Sequence, residues 1–146
     1  MIEGLILPDV ADYEAAPFWD GCAHGELRVQ VCTSCGRRRM PPREMCPWCQ
    51  SFDARWQAMS GLGHVWSVTI PHPPLLPAYA DQAPYNVVVV TLDEDPSVRF
   101  VGNVVADADA PLDSIDPHSI AIGDAVEVVF SQVADDVWLP RWRLVA

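Results

Sequence analysis

Residues 32–49 read CTSCGRRRMPPREMCPWC and contain two Cys-x-x-Cys pairs separated by ten residues. Two residues between the cysteines of a pair allow a tight turn to direct both sulfurs at one ion, and two such turns supply the four ligands of a tetrahedral site. A structural zinc ion contributes about 10 kcal/mol or more to the folding of so small a module. The spacing therefore predicts a zinc ribbon whose metal is held by Cys32, Cys35, Cys46 and Cys49.

Other uses of the four cysteines fit the sequence less well. A catalytic zinc ion needs an open position for water, which four thiolates do not leave. Redox-active Cys-x-x-Cys motifs are expected near a thioredoxin-like βαβ unit, and the surrounding sequence does not resemble one. Iron shares this ligand set and stays open as an alternative to zinc. The fifth cysteine, Cys22, lies among helix-forming apolar residues and is predicted to belong to the core.

The composition limits the functional class. The 146 residues carry a net charge of −11, and proteins that bind nucleic acids gain much of their affinity by neutralising phosphates. An acidic chain is therefore a poor candidate for that class. The opening MIEGLILPDV lacks the basic segment of a secretory signal, and no stretch approaches the ~20 apolar residues of a membrane span. We expect a cytoplasmic protein without membrane contact. Thiols stay reduced in the cytoplasm, so the cysteines are expected to be metal ligands or core residues and not disulfides.

The charge divides the chain into three segments. Residues 1–25 carry five acidic residues and no arginine, residues 26–59 carry six arginines and three acidic residues, and residues 60–146 carry three arginines and twelve acidic residues. A basic module thus lies between two acidic ones. We assign residues 1–25 to an N-terminal helical arm, residues 26–59 to the zinc ribbon and residues 60–146 to a β-rich domain.

The first segment predicts one or two short helices followed by a strand. Asp12 is suited to cap a turn, Pro17 to the first turn of a helix, and Gly25 to its end. Phe18, Trp19 and Cys22 would form the apolar side of that helix. Leu27, Val29 and Val31 alternate with polar residues, which is typical of a half-buried strand leading into the first cysteine.

The third segment predicts five strands. The first begins at Gly61 and Gly63, and its residues Trp66, Val68 and Ile70 share a face. The others are expected at residues 85–92, at 98–105 in a hairpin with the second, from Val126 onward, and at 137–145. An insertion at residues 106–123 has room for one helical turn. Five strands in about 85 residues fit a five-stranded OB-type barrel, so the fold class is mainly β.

The motifs of this chain occur in a recognisable order. They are PFWDGCAHGELRVQVCTSCG (17–36), PPREMCPWC (41–49), GLGHVWSVT (61–69), PYNVVVVTLDE (84–94) and IGDAVEVVF (122–130). From about Pro17 to Leu144 the sequence resembles the Zn-ribbon domain-containing OB-fold family. The resemblance implies a helical segment, a rubredoxin-like zinc ribbon with structural Zn²⁺, and a C-terminal OB-fold barrel.

The same resemblance implies a function. Family members lack catalytic residues and are accessory partners of thiolase-like or lipid-transfer-protein-type enzymes, which form or cleave bonds on acyl-CoA thioesters. Some of those partners are aldolases that shorten the side chains of steroids or lipids. We therefore expect a non-catalytic subunit that binds such an enzyme, in an α2β2 complex, and supports its acyl-CoA site.

Several residues are candidates for contact with the partner or with coenzyme A. Four arginines lie between the cysteine pairs, and their guanidinium groups match the geometry of phosphate; alternatively they offset the charge of the metal site. Trp48 lies inside the second pair and suits either an interface anchor or packing within the ribbon. The candidates in this stretch are Arg37, Arg38, Arg39, Arg43 and Trp48.

Residues 71–84 read PHPPLLPAYADQAP and, with five prolines, predict a segment without regular secondary structure. Its apolar residues Leu75, Leu76 and Tyr79 suggest contact with a partner or an acyl chain, and a lid over one end of the barrel is the alternative.

No catalytic set is evident in the sequence. The histidines at 24, 64, 72 and 118 are not at ligand spacing, and neither a nucleophile elbow nor a phosphate-binding glycine loop occurs. The main alternative to an accessory subunit is a nucleic-acid-binding module, because ribbons and OB barrels both serve that role. The net charge, and barrel strands with few outward basic or aromatic residues, argue against it.

Overall fold

The computed structural model describes residues 3–146, which form two antiparallel sheets and two short helices. The elements in chain order are α1 (Ala16–Ala23), β1 (Leu27–Cys32), β2 (Arg38–Arg39), β3 (Ala54–Met59), β4 (Leu62–Thr69), α2 (Pro77–Ala80), β5 (Val87–Leu92), β6 (Arg99–Gly102), a 3₁₀ turn (Pro117–Ser119), β7 (Ala125–Ala134) and β8 (Val137–Leu144). The mainly β fold class is confirmed. Among the described residues, no helix is long and apolar enough to cross a membrane.

The N-terminal arm forms one helix, as predicted. The carboxylate of Asp12 accepts a hydrogen bond from the backbone N–H of Ala15 at 3.3 Å and closes the turn before α1. Pro17 lies in the first turn, where a backbone N–H would have no acceptor within the helix, so the lack of an N–H in proline costs no hydrogen bond. Phe18 and Cys22 are buried, and Gly25 follows the helix with a φ of 75°, in the left-handed region that glycine favours. The prediction that Cys22 is a core residue is confirmed.

The smaller sheet has the order β2-β1-β3 and carries the cysteine-rich loops at one end. Strand β1 ends at Cys32, so the first cysteine is fixed by the ladder between β1 and β3, in which Cys32 faces Ala54. Leu27 and Val29 on β1 are buried. The predicted strand before the first cysteine is thereby confirmed.

The larger sheet has the order β6-β5-β4-β7-β8 and curls into a partly open barrel. Its two edges approach each other after β6. There the backbone N–H of Trp142 donates to Asn103 at 2.9 Å, and the N–H of Val105 donates to Trp142 at 2.8 Å. We call this contact between residues 103–105 and Trp142 the seam. The five predicted strands are all present.

The structure corrects the predicted face of the first barrel strand. A β-bulge shifts the register between Val65 and Ser67, so Trp66 is an extra residue in β4. Val65 points into the core, while Trp66 is 50% exposed. Val68 packs partly against the core, and Ile70 lies beyond the end of β4. The prediction that Trp66, Val68 and Ile70 share a face is therefore wrong, because alternation does not survive a bulge.

Two strands are shorter than predicted. The second begins at Val87, because Asn86 uses its side chain in place of ladder hydrogen bonds: its amide donates to the carbonyl of Val104 at 2.8 Å, and its oxygen accepts from the N–H of Val104 at 2.7 Å. The third ends at Gly102, after which the chain crosses to β8 at the seam.

The proline-rich segment 71–84 contains the short helix α2, which the sequence did not predict. Pro77 occupies the first turn of α2, where the fixed φ of proline is compatible with a helix. The prediction of a segment wholly without regular structure is wrong for these four residues. In the later insertion, the 3₁₀ turn at Pro117–Ser119 confirms the expected helical turn.

A single hydrophobic core joins the three segments. Phe18 of the arm, Leu27 of the ribbon and Trp142 of the barrel belong to one cluster of buried residues. A second, smaller cluster of Tyr85, Val105 and Leu112 lies beneath the proline-rich segment. Ribbon and barrel are therefore coupled through packing, and damage to one is expected to weaken the other.

Gly63 on β4 provides a test of how closely β4 and β5 pack. A Cβ at this position would lie 2.4 Å from the carbonyl oxygen of Thr91 and 2.7 Å from Cγ1 of Val90. We expect Gly63→Ala to lower the free energy of unfolding by about 2–3 kcal/mol, because backbone atoms must move to relieve the contact. Chemical denaturation measures this loss. Gly25→Ala is the control, because nothing lies within 4 Å of a Cβ at that position, and its positive φ alone should cost about 1 kcal/mol. Equal losses of unfolding free energy in the two variants would contradict close packing of β4 against β5 at Gly63.

Candidate metal centre and contact surface

The four cysteines of the ribbon converge at one point. Their sulfur atoms all lie within 4.8 Å of one another, with Cys32 Sγ 3.5 Å from Cys49 Sγ and Cys35 Sγ 3.7 Å from Cys46 Sγ. Zn–S bonds of about 2.3 Å place the sulfurs of a tetrahedral site about 3.8 Å apart. The cysteines are therefore positioned to bind a metal ion. No other group of metal-binding side chains converges within residues 3–146.

Each Cys-x-x-Cys turn forms a knuckle, and backbone N–H groups of the two knuckles favour the thiolate form of the first cysteine of each pair, Cys32 and Cys46. The N–H of Cys35 points at Cys32 Sγ from 3.5 Å and, with that of Ser34, lowers the pKa of Cys32 to about 6. Burial raises the pKa of Cys46, but the N–H groups of Cys49 and Trp48 outweigh it, so the pKa is lowered overall. Both groups are thus prepared to act as metal ligands.

The fourth cysteine shows why the cluster favours a cation. The N–H of Ser51 lowers the pKa of Cys49, but the neighbouring sulfurs of Cys32, Cys46 and Cys35, together with burial, outweigh it and raise the pKa to about 11. A thiol beside thiolates ionises reluctantly because like charges repel. A bound cation offsets that repulsion, so the donor set fits a thiolate-bound metal.

The structure does not bring the four candidate arginines together on one surface. Arg37 is exposed and its guanidinium lies 5.3 Å from the ring of Trp48, which is 50% exposed. Arg38 is half-buried and pairs with Asp95 of the barrel at 3.3 Å, so it ties the ribbon to the barrel. Its Nε also donates to the side-chain oxygen of Gln57 at 3.2 Å.

The other two arginines face different ways. Arg39 is only 4% exposed, and one of its terminal nitrogens donates to the backbone oxygen of Arg43 at 2.9 Å. Its Nε and Nη1 are buried and have no partner among the described residues. Arg43 is exposed, and its backbone N–H donates a hydrogen bond to Oε1 of Gln30 at 2.8 Å. Only Arg37, Arg43 and Trp48 of this set are therefore accessible to a partner.

The apolar candidates of the proline-rich segment also divide. Leu75 and Tyr79 pack against the cluster of Tyr85, Val105 and Leu112, as expected for a lid over the barrel. Leu76 is 53% exposed and is not among the residues that pack against that cluster. Within this segment, Leu76 is the candidate that stays available for contact.

The sequence did not predict two features of the surface. Trp66 points outward beneath Arg99, whose guanidinium lies 4.0 Å from the ring centroid, so the barrel does present an aromatic and a basic residue side by side. His64 lies on the same strand and pairs with Asp93 at 2.6 Å. No signal in a single sequence marks the bulge that turns Trp66 outward.

Comparison with known proteins finds two matching families, one for each module. Residues 19–53 match the rubredoxin-like zinc ribbon domain of ChsH2, and residues 56–131 match the C-terminal OB-fold domain of ChsH2. The chain is also 33% identical over 111 residues to a DUF35 domain-containing scaffold protein of Methanothermobacter thermautotrophicus, covering 75% of each protein.

Longer relatives match as well. The chain is 33% identical over 127 residues to a probable enoyl-CoA hydratase alpha subunit of Thermomonospora curvata, covering 86% of this chain and 36% of the relative. It is 30% identical over 133 residues to the 3-oxo-4,17-pregnadiene-20-carboxyl-CoA hydratase alpha subunit of Mycobacterium tuberculosis, covering 91% and 37%. The chain thus spans just over a third of the length of these two relatives.

Solved structures share the whole architecture. A chain of the Ltp2-ChsH2(DUF35) aldolase superposes with a TM-score of 0.80 at 29% identity, covering 95% of this chain and all of that one. A DUF35 protein of unknown function from Sulfolobus solfataricus superposes with a TM-score of 0.63 at 14% identity, covering 94% and 89%, which supports the fold alone. On this evidence the chain belongs to the ChsH2-like DUF35 family of zinc-ribbon and OB-fold proteins.

Proposed function

We propose that this chain is a non-catalytic accessory subunit that binds a thiolase-like enzyme acting on CoA thioesters. The observation that carries the proposal is the match along the full length of a chain from an aldolase whose name pairs Ltp2 with ChsH2(DUF35). The relative named as a scaffold protein supports the same role. The enzyme would be an aldolase or acyltransferase, for instance one acting on steroid or lipid side chains.

The two relatives named as hydratase subunits do not make this chain a hydratase. Nearly two thirds of each lies outside the match. The shared portion contains the ribbon and the barrel, in which Arg38 pairs with Asp95, and Arg143 pairs with Glu127 and Asp107. Hydration of an acyl-CoA is therefore not proposed for this chain.

We propose that the metal is a structural zinc ion held by Cys32, Cys35, Cys46 and Cys49. Four thiolate donors at tetrahedral spacing match zinc in ribbons, and iron is the alternative to exclude by elemental analysis. The ion would hold the knuckles that present Arg37 and Trp48. It would supply no chemistry beyond folding.

We further propose how the complex is organised. The arm (1–25), ribbon (26–59) and barrel (60–146) would act as one body because they share a core. The exposed groups Arg37, Arg43, Trp48 and Leu76 would contact the enzyme or the phosphates of its coenzyme A. We propose an α2β2 complex in the cytoplasm, with no membrane contact.

Trp48 and Trp66 offer a matched test of the interface. Both are 50% exposed and both lie under an arginine, but one is on the ribbon and the other on the barrel. When the chain is co-expressed with a thiolase-like enzyme encoded beside it, Trp48→Ala is expected to weaken the complex about tenfold or more, as loss of an aromatic anchor does. Trp66→Ala should leave it intact. Co-purification and titration by light scattering measure both.

The control for folding is zinc content and thermal stability, which both variants should keep. The isolated chain should show no turnover of acyl-CoA, while the complex should. Turnover by the chain alone, or failure to associate with any thiolase-like enzyme, would overturn the proposal.

A nucleic-acid-binding role is the alternative, and one observation favours it. Trp66 and Arg99 form a stacking pair on the outer face of the barrel, which is the kind of surface that holds single strands. The net charge of −11 opposes it. Salt-dependent binding of single-stranded DNA that is lost in Trp66→Ala and kept in Trp48→Ala would establish this role instead.

A further inference from the structure

A pocket of about 250 Å³ lies against the hairpin of β7 and β8. Its walls come from that hairpin, from residues 108–111 of the insertion, from Gln82 at the end of the proline-rich segment, and from Leu5 of the arm. The volume is below the range of about 300–1,000 Å³ that is typical of drug-sized ligands. Any ligand of this pocket is therefore expected to be a small molecule.

Strand pairing places two polar lining residues on one face of the hairpin. Ser131 on β7 lies opposite Leu139 on β8, and Arg141 follows two residues after Leu139. Side chains two residues apart on a strand share a face, so Ser131 and Arg141 are diagonal neighbours. Val129, opposite Arg141, packs against the smaller hydrophobic cluster. This face is therefore turned towards the proline-rich segment.

Both residues have a buried polar atom without a partner. Ser131 is 2% exposed, and its Oγ makes no hydrogen bond within residues 3–146. The Nε of Arg141 is likewise buried without an acceptor among those residues. Folded proteins leave few buried polar groups unpaired, because each such group loses its hydrogen bonds to water. Two in one pocket are accounted for if a bound molecule supplies their partners.

The pocket also carries one group of each charge. Burial lowers the pKa of the Arg141 guanidinium, and the phenol of Tyr79 opposes that shift only in part. Arg143, on the same face, pairs with two carboxylates, whereas Arg141 pairs with none in the described part of the chain. Asp109 is exposed and lines the same pocket. A simple anion would be attracted by Arg141 and repelled by Asp109, whereas a molecule with both charges suits both groups.

We propose that this pocket binds a small zwitterion that carries a carboxylate and an ammonium group, such as a free amino acid. The carboxylate accepts hydrogen bonds from Arg141 and Ser131, and the ammonium group lies at Asp109. Leu5 and Pro111 contact the short carbon chain. The proposal does not depend on the accessory role, because binding is expected of the isolated chain.

A series of small molecules tests whether both charges are needed. In this series, β-alanine, 4-aminobutanoate and 6-aminohexanoate present the two charges at increasing separation, while butanoate and butylammonium keep one charge each. Nuclear magnetic resonance titration of the full-length, metal-loaded, isotope-labelled chain measures affinity and location together. We expect the best of the three amino acids to bind saturably and about tenfold more tightly than either singly charged molecule, since hydrogen bonds to charged groups are the strong ones. The shifted amides should be those of residues 108–112 and 131–133.

An exposed position tests the ammonium contact without a risk to folding. Asp109→Asn should weaken the best amino acid about tenfold, because the partner of its ammonium group loses its charge. The same variant should preserve or strengthen binding of butanoate. Asp113→Asn is the matched control, since Asp113 is an exposed aspartate of the same insertion that does not line the pocket. It should leave both affinities unchanged.

Two further variants test the carboxylate contact. Arg141→Gln should weaken the best amino acid and butanoate about tenfold without weakening butylammonium, whereas Arg55→Gln, at an exposed arginine outside the pocket, should change none of them. Ser131→Ala removes a hydroxyl that has no partner within the folded chain. It should therefore keep or raise the thermal stability while weakening the best amino acid about threefold. A hydroxyl with a purely structural role would give the reverse pattern.

Four results would each overturn the proposal. They are absence of saturable shifts with all three amino acids, binding of butanoate or butylammonium as tightly as the best amino acid, shifts confined to residues outside the pocket, and unchanged affinity in Asp109→Asn. The first would mean that water alone fills the pocket. The second would make the pocket a site for a single charge.

Discussion

Replacing Cys46 by serine is expected to release the metal and to unfold the ribbon. Cys46 is fully buried within the cluster and lies 3.7 Å, sulfur to sulfur, from Cys35. A serine hydroxyl remains protonated at neutral pH and cannot replace a thiolate ligand. Because binding of a structural zinc ion contributes about 10 kcal/mol to folding, losing one of four ligands removes most of what holds the knuckles.

The effect should spread beyond the ribbon. Leu27, Val29 and Met59 of the ribbon lie in the same buried cluster as Val65 and Trp142 of the barrel. Unfolding the ribbon exposes apolar surface on both sides of that contact. Thermal unfolding of Cys46→Ser is therefore expected at a markedly lower temperature for the whole chain.

Elemental analysis and circular dichroism measure these two expectations. Wild type should carry one zinc ion per chain, and Cys46→Ser close to none. Cys22→Ala is the matched control, because it removes a thiol that is equally buried but lies outside the cysteine cluster. Burial raises the pKa of the Cys22 thiol to about 12, so this thiol stays protonated at neutral pH. Cys22→Ala should keep its metal. The structural role of the cluster is contradicted if Cys46→Ser keeps a full complement of metal, or loses the metal and melts like wild type.

Replacing Trp142 by alanine is expected to have the second largest effect, a loss of about 3–5 kcal/mol in the free energy of unfolding. Trp142 is 1% exposed and its ring centroid lies 6.3 Å from that of Phe100. Its backbone also joins the two edges of the barrel. Gly102 leaves room for the indole, because a Cβ there would lie 3.2 Å from Cδ1 and Nε1 of Trp142. Removing the ring leaves a cavity at the seam itself.

Urea denaturation monitored by circular dichroism provides the measurement. Trp142→Phe should lose less than Trp142→Ala, since an aromatic ring still fills part of the space. The exposed Trp66 is the control, and Trp66→Ala should change stability by about 0.5 kcal/mol or less. If Trp142→Ala were no more destabilising than Trp66→Ala, the seam would not be where the barrel is held closed.

Much of the architecture could be predicted because its signals are local. The position of α1 follows from Asp12, Pro17 and Gly25, each of which acts within a few residues of itself. The strands follow from β-branched runs such as residues 87–92, which fit a half-buried pleated surface. The cysteine cluster follows from spacing, since a Cys-x-x-Cys turn fixes both sulfurs with few degrees of freedom.

What could not be predicted depends on contacts between distant residues. Four neighbouring arginines look equivalent in the sequence, yet Arg39 is buried, Arg38 pairs with Asp95, and Arg37 rests beside Trp48. Which one is free depends on where the barrel lies against the ribbon. The outward position of Trp66 likewise depends on a bulge, which breaks the alternation that a strand pattern assumes.

The sequence by itself determined which four cysteines converge and the order of helix, ribbon and barrel, and the order of its motifs indicated the family by resemblance. The cysteine cluster and the order of the elements rest on turns, spacing and periodicity, which act over a few residues and need no knowledge of the rest of the chain. Only the tertiary structure decided which side chains reach the surface and how one core unites the segments. Burial and charge pairing belong to residues far apart in sequence, so only the folded chain determines them.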